Sequence, residues 1–433
     1  MRSTAAIRLI AHGPFAAVMF YVCGSMLLYW AGPIVWPMTN ALELAIYQVL
    51  AVFALTAGYV MTGSRIPKLR PSISLSPFFR AGVLFTLTLQ IPLTLTYTDK
   101  YPWDVFQTIF DQRAAYEEML DQVMSQQGTR FYIPLFRSVI MPFFYAALTY
   151  GVLNFRALTR LDKLLLILMI LCPVNLSLLR GTDKEIFDIV IVIGGLVMIS
   201  LARRSILSAK TVKITGRQLI LAILAVGTTA VVIFLLFTYR KYQRLDSTDA
   251  FCFAENLICA DYNGLFMSVL PDFVSFGISM FTFYLTNGYY GLSIALQQPW
   301  SFANGIGHSS ALLSLFERFS DGSLMDATLI GKMSVAGWDH RFYWASIFTW
   351  IASDVGFFGA LVVIGLIARW FHQAWIDAVY LKNDIAAVVF ILLCVLFFYL
   401  PANNQLTQTF DSYFAFLGAM IAWKILGKYR RPT

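Results

Sequence analysis

Charge is scarce in this chain: only 13% of its 433 residues are Asp, Glu, Lys or Arg, and it holds 4 histidines and 5 cysteines. A soluble domain of that length needs far more polar surface. The few Cys and His residues show no spacing of the zinc type, so no metal site is expected. No Gly-rich phosphate loop runs into Lys-Ser/Thr, which argues against ATP-driven pumping, and no Gly-Xaa-Ser-Xaa-Gly nucleophile turn is present. No cofactor is expected. No cleavable signal peptide is expected, because Arg2 and Arg8 precede a first apolar run long enough to span and stay.

What the chain has instead is apolar length. It is 58% hydrophobic, its mean hydropathy is +0.68, and its apolar runs are continuous rather than alternating. The expected fold class is therefore an all-α polytopic membrane protein, a single integral membrane domain over residues 1–433, and not a β-barrel. The pattern predicts about ten transmembrane helices: Phe15–Trp36, Ala41–Met61, Ala81–Leu95, Ile133–Leu153, Leu164–Leu179, Ile186–Leu201, Leu219–Tyr239, Phe342–Trp370, Ile385–Leu400 and Phe410–Leu426.

Lys and Arg gather at every second connection, among them Arg65, Lys68, Arg70 and Arg80, then Arg156, Arg160 and Lys163, then Arg203, Arg204, Lys210, Lys213 and Arg217. That alternation places both termini in the cytoplasm. It also absorbs most of the formal charge of +8 as topology signal and contact with anionic membrane lipid, so no nucleic acid is expected as a partner.

Two long loops fall on the opposite, periplasmic side. Residues 96–132 carry six acids against three bases, and Phe106, Ile109, Tyr116, Leu120 and Val123 follow helical spacing. An amphipathic periplasmic helix is expected there, as a cap over the bundle or as a substrate contact. Residues 240–341 carry nine acids and six bases. Within them Phe273–Leu296 is apolar enough to cross, but one crossing would break the charge pattern. It must return on itself or lie in the interface. The turn-like Thr286-Asn-Gly-Tyr-Tyr-Gly291 favours a re-entrant hairpin over 273–296. Cys252 and Cys259 share this loop, where oxidising conditions would permit a disulfide. Their spacing leaves the pairing open. Cys23, Cys172 and Cys394 lie in spans and serve as apolar filler.

The candidate chemistry lies at the periplasmic helix ends. Arg137, Arg180, Lys184, Arg240, Arg244 and Arg341 come from separate junctions, and such cations suit the oxygens of a phosphate-bearing lipid. Pairing within the protein is the structural alternative, with Lys184 reaching Asp188 and Arg180 reaching Asp183. His308 and His340 are the histidines that could take a proton from a sugar hydroxyl while a pyrophosphate departs, with Glu317, Glu185 and Asp183 as rivals. Asp354 lies roughly 18 Å along its helix at 1.5 Å per residue, and Arg137 is its expected partner. Tyr289 and Tyr290 belong to an aromatic set that could stack on sugar faces or simply populate the membrane interface.

The Arg180-Gly-Thr junction, Thr286-Asn-Gly-Tyr-Tyr-Gly-Leu-Ser293, Gly305-Ile-Gly-His-Ser309 and Trp344-Ala-Ser-Ile-Phe-Thr-Trp-Ile-Ala-Ser-Asp-Val-Gly-Phe357, with the large late loop, resemble the O-antigen polymerase family. These are bacterial oligosaccharide repeat unit polymerases. The resemblance implies a C-type membrane glycosyltransferase-like fold in the bacterial inner membrane, with the active site facing the periplasm. It implies metal-independent, inverting transfer of a growing glycan from undecaprenyl pyrophosphate to another lipid-linked repeat unit. His308, Arg180 and Arg341 would act in catalysis, His340, Asp354, Tyr289 and Tyr290 would support them, and a chain-length regulator protein is a possible partner. An O-antigen ligase is the neighbouring alternative. A lipid-linked oligosaccharide flippase or other transporter is the alternative of another class, although no repeat relates the two halves.

Overall fold

The computed structural model describes residues 4–62, 73–125, 132–207, 216–245, 252–253, 258–264, 267–320, 323–340 and 342–429. It is an all-α membrane protein. Its long helices are α1 (Thr4–Ala31), α2 (Ala41–Val60), α3 (Ser76–Thr98), α4 (Gln112–Ser125), α5 (Tyr132–Leu153), α6 (Arg160–Leu179), α7 (Lys184–Leu207), α8 (Gly216–Leu245), α9 (Asp272–Leu296), α10 (Ile347–Tyr380), α11 (Asp384–Tyr399) and α12 (Phe410–Tyr429). Each of the ten expected spans falls on one of them. Among the described residues, seven helices are long and apolar enough to cross a membrane: α1, α2, α3, α5, α6, α7 and α10.

The centre of the bundle is α11. Nearly all of its side chains are buried, as expected of a helix apolar on every face, and it packs against α5, α7, α10 and α12. Asn383 caps it by accepting hydrogen bonds from the amides of Ile385 and Ala386. Asp384, at the same end, takes Arg203 at 3.2 Å and the Leu75 amide at 3.2 Å. That ion pair ties the basic end of α7 to the start of α11.

The opposite end carries the long connections. There a small antiparallel sheet joins β1 (Ile34–Val35), β2 (Cys252–Phe253) and β3 (Ile258–Ala260) in the order β1-β3-β2. Cys252 and Cys259 face each other across β2 and β3 and form a disulfide. α4 carries Tyr116, Leu120 and Val123 of the helix expected within residues 96–132, whereas Phe106 lies on a separate short helix, Val105–Thr108, capped by Ile109. α4 docks against the α6–α7 turn, where Gly181 adopts φ +62 and a Cβ would meet Gln112 O and Tyr116 N at 2.8 Å. Glycine is required there both by backbone conformation and by close approach.

The hairpin expected over 273–296 does not form. That stretch is α9, a single helix of 25 residues, and both of its ends touch the same end of the bundle. Gly277 abuts Thr238 near the end of α8. The Ser293 carbonyl accepts from Asn40, and Gln297 donates to Thr39 in the α1–α2 connection. The helix thus lies across the bundle end, the alternative the charge pattern left open. Its Asn-Gly pair is not a turn, because Gly288 lets the backbone carbonyls of Pro401 and Ala402 press against the helix. Tertiary packing overrode the local turn signal.

Candidate functional site

Under α9 and α4, several helix ends converge. Arg137 stands in the second turn of α5, and Arg180 ends α6. Lys184, Glu185 and Asp188 occupy the first turns of α7, and Asp411 the first turn of α12. These six side chains line one cavity of about 470 Å³, together with Tyr97, Tyr145 and both ends of the short helix Gln405–Gln408.

The cavity is charged but balanced. Arg180 Nη1 donates to Glu185 Oε1 at 2.9 Å, and the guanidinium carbon lies 5.6 Å from the Tyr97 ring centroid. Arg137 Nη2 is 3.3 Å from Asp411 Oδ2, and Lys184 Nζ is 3.6 Å from Asp188 Oδ2. Three cations therefore face three carboxylates, where a mainly basic basin was expected. Burial beside hydrocarbon demands this, since an uncompensated ion there costs several kcal/mol. The i, i+4 pair Lys184–Asp188 was anticipated. Arg180 takes Glu185 rather than Asp183, because Asp183 is held by Arg240 at 2.6 Å and Lys241 at 3.0 Å.

Arg240 thus sits beside the cavity, clamping the α6–α7 turn through Asp183, Gln112 Oε1 and the Thr182 carbonyl. Arg244 lies in the last turn of α8, with its side chain outside what is described. Arg341 lies outside the described residues. Of the six cations expected, Arg137, Arg180 and Lys184 are brought together.

A second cavity of about 280 Å³ adjoins the first, and Lys184 and Gln405 line both. Its walls are aromatic: Phe237, Phe281, Tyr284, Trp344, Phe398 and Tyr399 among them. Lys241 Nζ lies 4.5 Å from the Tyr284 ring centroid at its edge, a cation–π contact.

His308 is elsewhere. Its Nδ1 lies 2.8 Å from Asp354 Oδ2, and Asp354 also accepts the backbone amides of Gly307 and His308 at 2.9 Å. With the proton on Nδ1 donated to the carboxylate, Nε2 accepts from the Tyr413 hydroxyl at 2.7 Å. Asp354 does not pair with Arg137 as expected. The helix break at Gly356, φ 70, separates the Ile347–Val355 portion of α10 from its longer part and leaves Asp354 beside the loop around Gly307. The His308–Asp354–Tyr413 chain borders a third, mostly apolar cavity of about 340 Å³.

Segment 404–409 divides this chain from the charged cavity. Asn404 and Thr407 donate to the His308 carbonyl at 2.8 and 2.6 Å, whereas Gln405, Gln408 and Thr409 face the charged side. His340 sits apart, with Nδ1 2.9 Å from Ser334 Oγ. Tyr289 and Tyr290 are buried in an aromatic core with Tyr29, Trp36 and Trp338 and line none of the three cavities.

Family models, curated proteins and solved structures give no match to this chain. Sequence reasoning missed Asp411 as a member of the site. Its only signal was an acid at the start of an apolar run, and its partner Arg137 is remote in the chain.

Proposed function

We propose that the protein is a membrane glycosyltransferase that polymerises lipid-linked oligosaccharide repeat units in bacterial surface polysaccharide synthesis, moving glycan from undecaprenyl pyrophosphate to an acceptor unit. The supporting observation is the cavity in which Arg137, Arg180 and Lys184 meet at the loop-rich end of the bundle. Each guanidinium carries five N–H donors, and Arg180 uses one on Glu185. The carboxylates hold the cations in place, and those donors that face the cavity would meet phosphate oxygens as negative charge grows on the leaving group. The aromatic cavity next door suits a sugar face.

In this proposal the ten helices α1, α2, α3, α5–α8 and α10–α12 cross the inner membrane, both termini are cytoplasmic, and the cavity opens to the periplasm. The Cys252–Cys259 disulfide at the same end of the molecule supports that orientation, since it needs an oxidising compartment. Purified protein incubated with synthetic undecaprenyl-pyrophosphate repeat units should produce a ladder of oligomers; a donor recovered unchanged rejects the proposal.

One observation favours a second function. Buried, charge-balanced carboxylates together with a helix broken at Gly356 are features of ion-coupled transport. Movement of the same lipid-linked glycan across proteoliposomes without polymer formation would select it.

A further inference from the structure

We propose that Asp188 is the proton acceptor for the attacking hydroxyl, an assignment that rests on the glycosyl transfer proposed above. The histidine expected in that role is excluded by position. Both ring nitrogens of His308 are engaged, and segment 404–409 separates it from Arg180 and Lys184. The base must then come from the carboxylates that line the charged cavity: Glu185, Asp188 and Asp411.

Their hydrogen bonds tell them apart. Glu185 gives one oxygen to Arg180 at 2.9 Å and the other to the Thr182 hydroxyl at 3.2 Å, and its side chain is 8% exposed. Asp411 gives Oδ2 to Arg137 and Oδ1 to the Ser412 amide at 3.0 Å, and is 13% exposed. Asp188 is 23% exposed, its nearest cation stands at 3.6 Å, and a side-chain hydrogen bond joins it to Tyr399. A carboxylate committed to two donors has little lone-pair density left for an incoming proton. Asp188, the most exposed of the three and the furthest from its cation, is the least tightly held.

Its position is also the right one. Asp188 lies one turn along α7 from Lys184, which borders both cavities, and Tyr399 of the aromatic cavity faces it from α11. An acceptor sugar stacked among Phe237, Tyr284, Trp344 and Phe398 would present its hydroxyl at this shared wall, beside a diphosphate held by Arg180 and Lys184. In the step, the hydroxyl oxygen forms the new bond to the anomeric carbon. The bond from that carbon to the pyrophosphate oxygen breaks and its electron pair leaves with the pyrophosphate, and the hydroxyl proton passes to Asp188. The ionisable groups around Asp188 are Lys184 and Glu185 on its own helix, Tyr399 on α11 and Tyr145 on α5.

The test uses the full chain in lipid nanodiscs, with a synthetic undecaprenyl-diphosphate oligosaccharide for turnover and undecaprenyl diphosphate alone for binding. Asp188→Asn should lower transfer by about 100-fold or more, the usual weight of a general base, while binding of the diphosphate lipid stays near wild type. Asp188→Glu should recover part of the rate and displace the acidic limb of the pH–rate profile. A wild-type rate in Asp188→Asn overturns the assignment, and so does joint loss of binding and transfer, which marks a structural role. If Asp188→Asn does not fold, an unmoved acidic limb in Asp188→Glu overturns it equally. A wild-type protein that never transfers glycan instead defeats the parent function, and this role with it.

Discussion

Two polar regions stand back to back on residues 404–413, and they are built on opposite plans. On one face, Arg137, Arg180 and Lys184 meet three carboxylates around an open volume of about 470 Å³, and one of those carboxylates is loosely held. On the other, Asp354, His308 and Tyr413 form a closed chain with every nitrogen and carboxylate oxygen engaged, beside an apolar cavity. A satisfied chain of that sort holds elements in place; here it joins the broken helix α10 to α12 and to the loop at Gly307. The difference teaches that, in the proposed reaction, the residue type best suited to proton transfer lies outside the cavity that would hold the diphosphate.

The largest effect that would break the contrast is structural. Arg137→Ala leaves Asp411 buried without its cation and should cost about 3–5 kcal/mol of stability, whereas Arg137→Ala combined with Asp411→Ala should cost clearly less. Thermal unfolding in detergent decides; equal losses would mean the pair is no counter-charge device. Next, Arg180→Ala should abolish long-chain polymer, a loss of about 100-fold or more, while single repeat units remain on lipid A. Wild-type ladder length in a folded variant would contradict the role given to the charged cavity.

A smaller effect is expected at the sheet. Cys252→Ser should lower stability by about 2 kcal/mol, and alkylation of the denatured wild type should gain two thiols on reduction, beyond those of Cys23, Cys172 and Cys394; no gain on reduction would remove the disulfide and the orientation it supports. The smallest change sharpens the contrast most. Tyr413→Phe removes one hydrogen bond, worth about 1 kcal/mol, and should leave transfer near the wild-type rate. A loss of activity comparable to that of Arg180→Ala would place the His308 chain in the chemistry after all.

Much of the architecture was legible in order of residues alone. Ten apolar runs became ten helices, the helical spacing around Tyr116 became α4, and the Lys184–Asp188 pair followed from an i, i+4 interval. These are local properties, set by side-chain hydropathy and by 3.6 residues per turn. Thr286-Asn-Gly-Tyr-Tyr-Gly291 was misread because its glycines serve close contacts, Gly288 with residues 401–402 and Gly291 with Trp338 and Trp344, which no local pattern records.

The sequence by itself determined the class of molecule, the ten long apolar helices and which cations sit near helix ends. Only the tertiary structure decided their partners: Arg137 with Asp411, Arg180 with Glu185, Asp183 with Arg240 and Lys241, and Asp354 with His308. The reason is physical. A charge brought out of water must find compensation wherever packing places an opposite charge, and that neighbour is chosen by how helices cross rather than by distance along the chain.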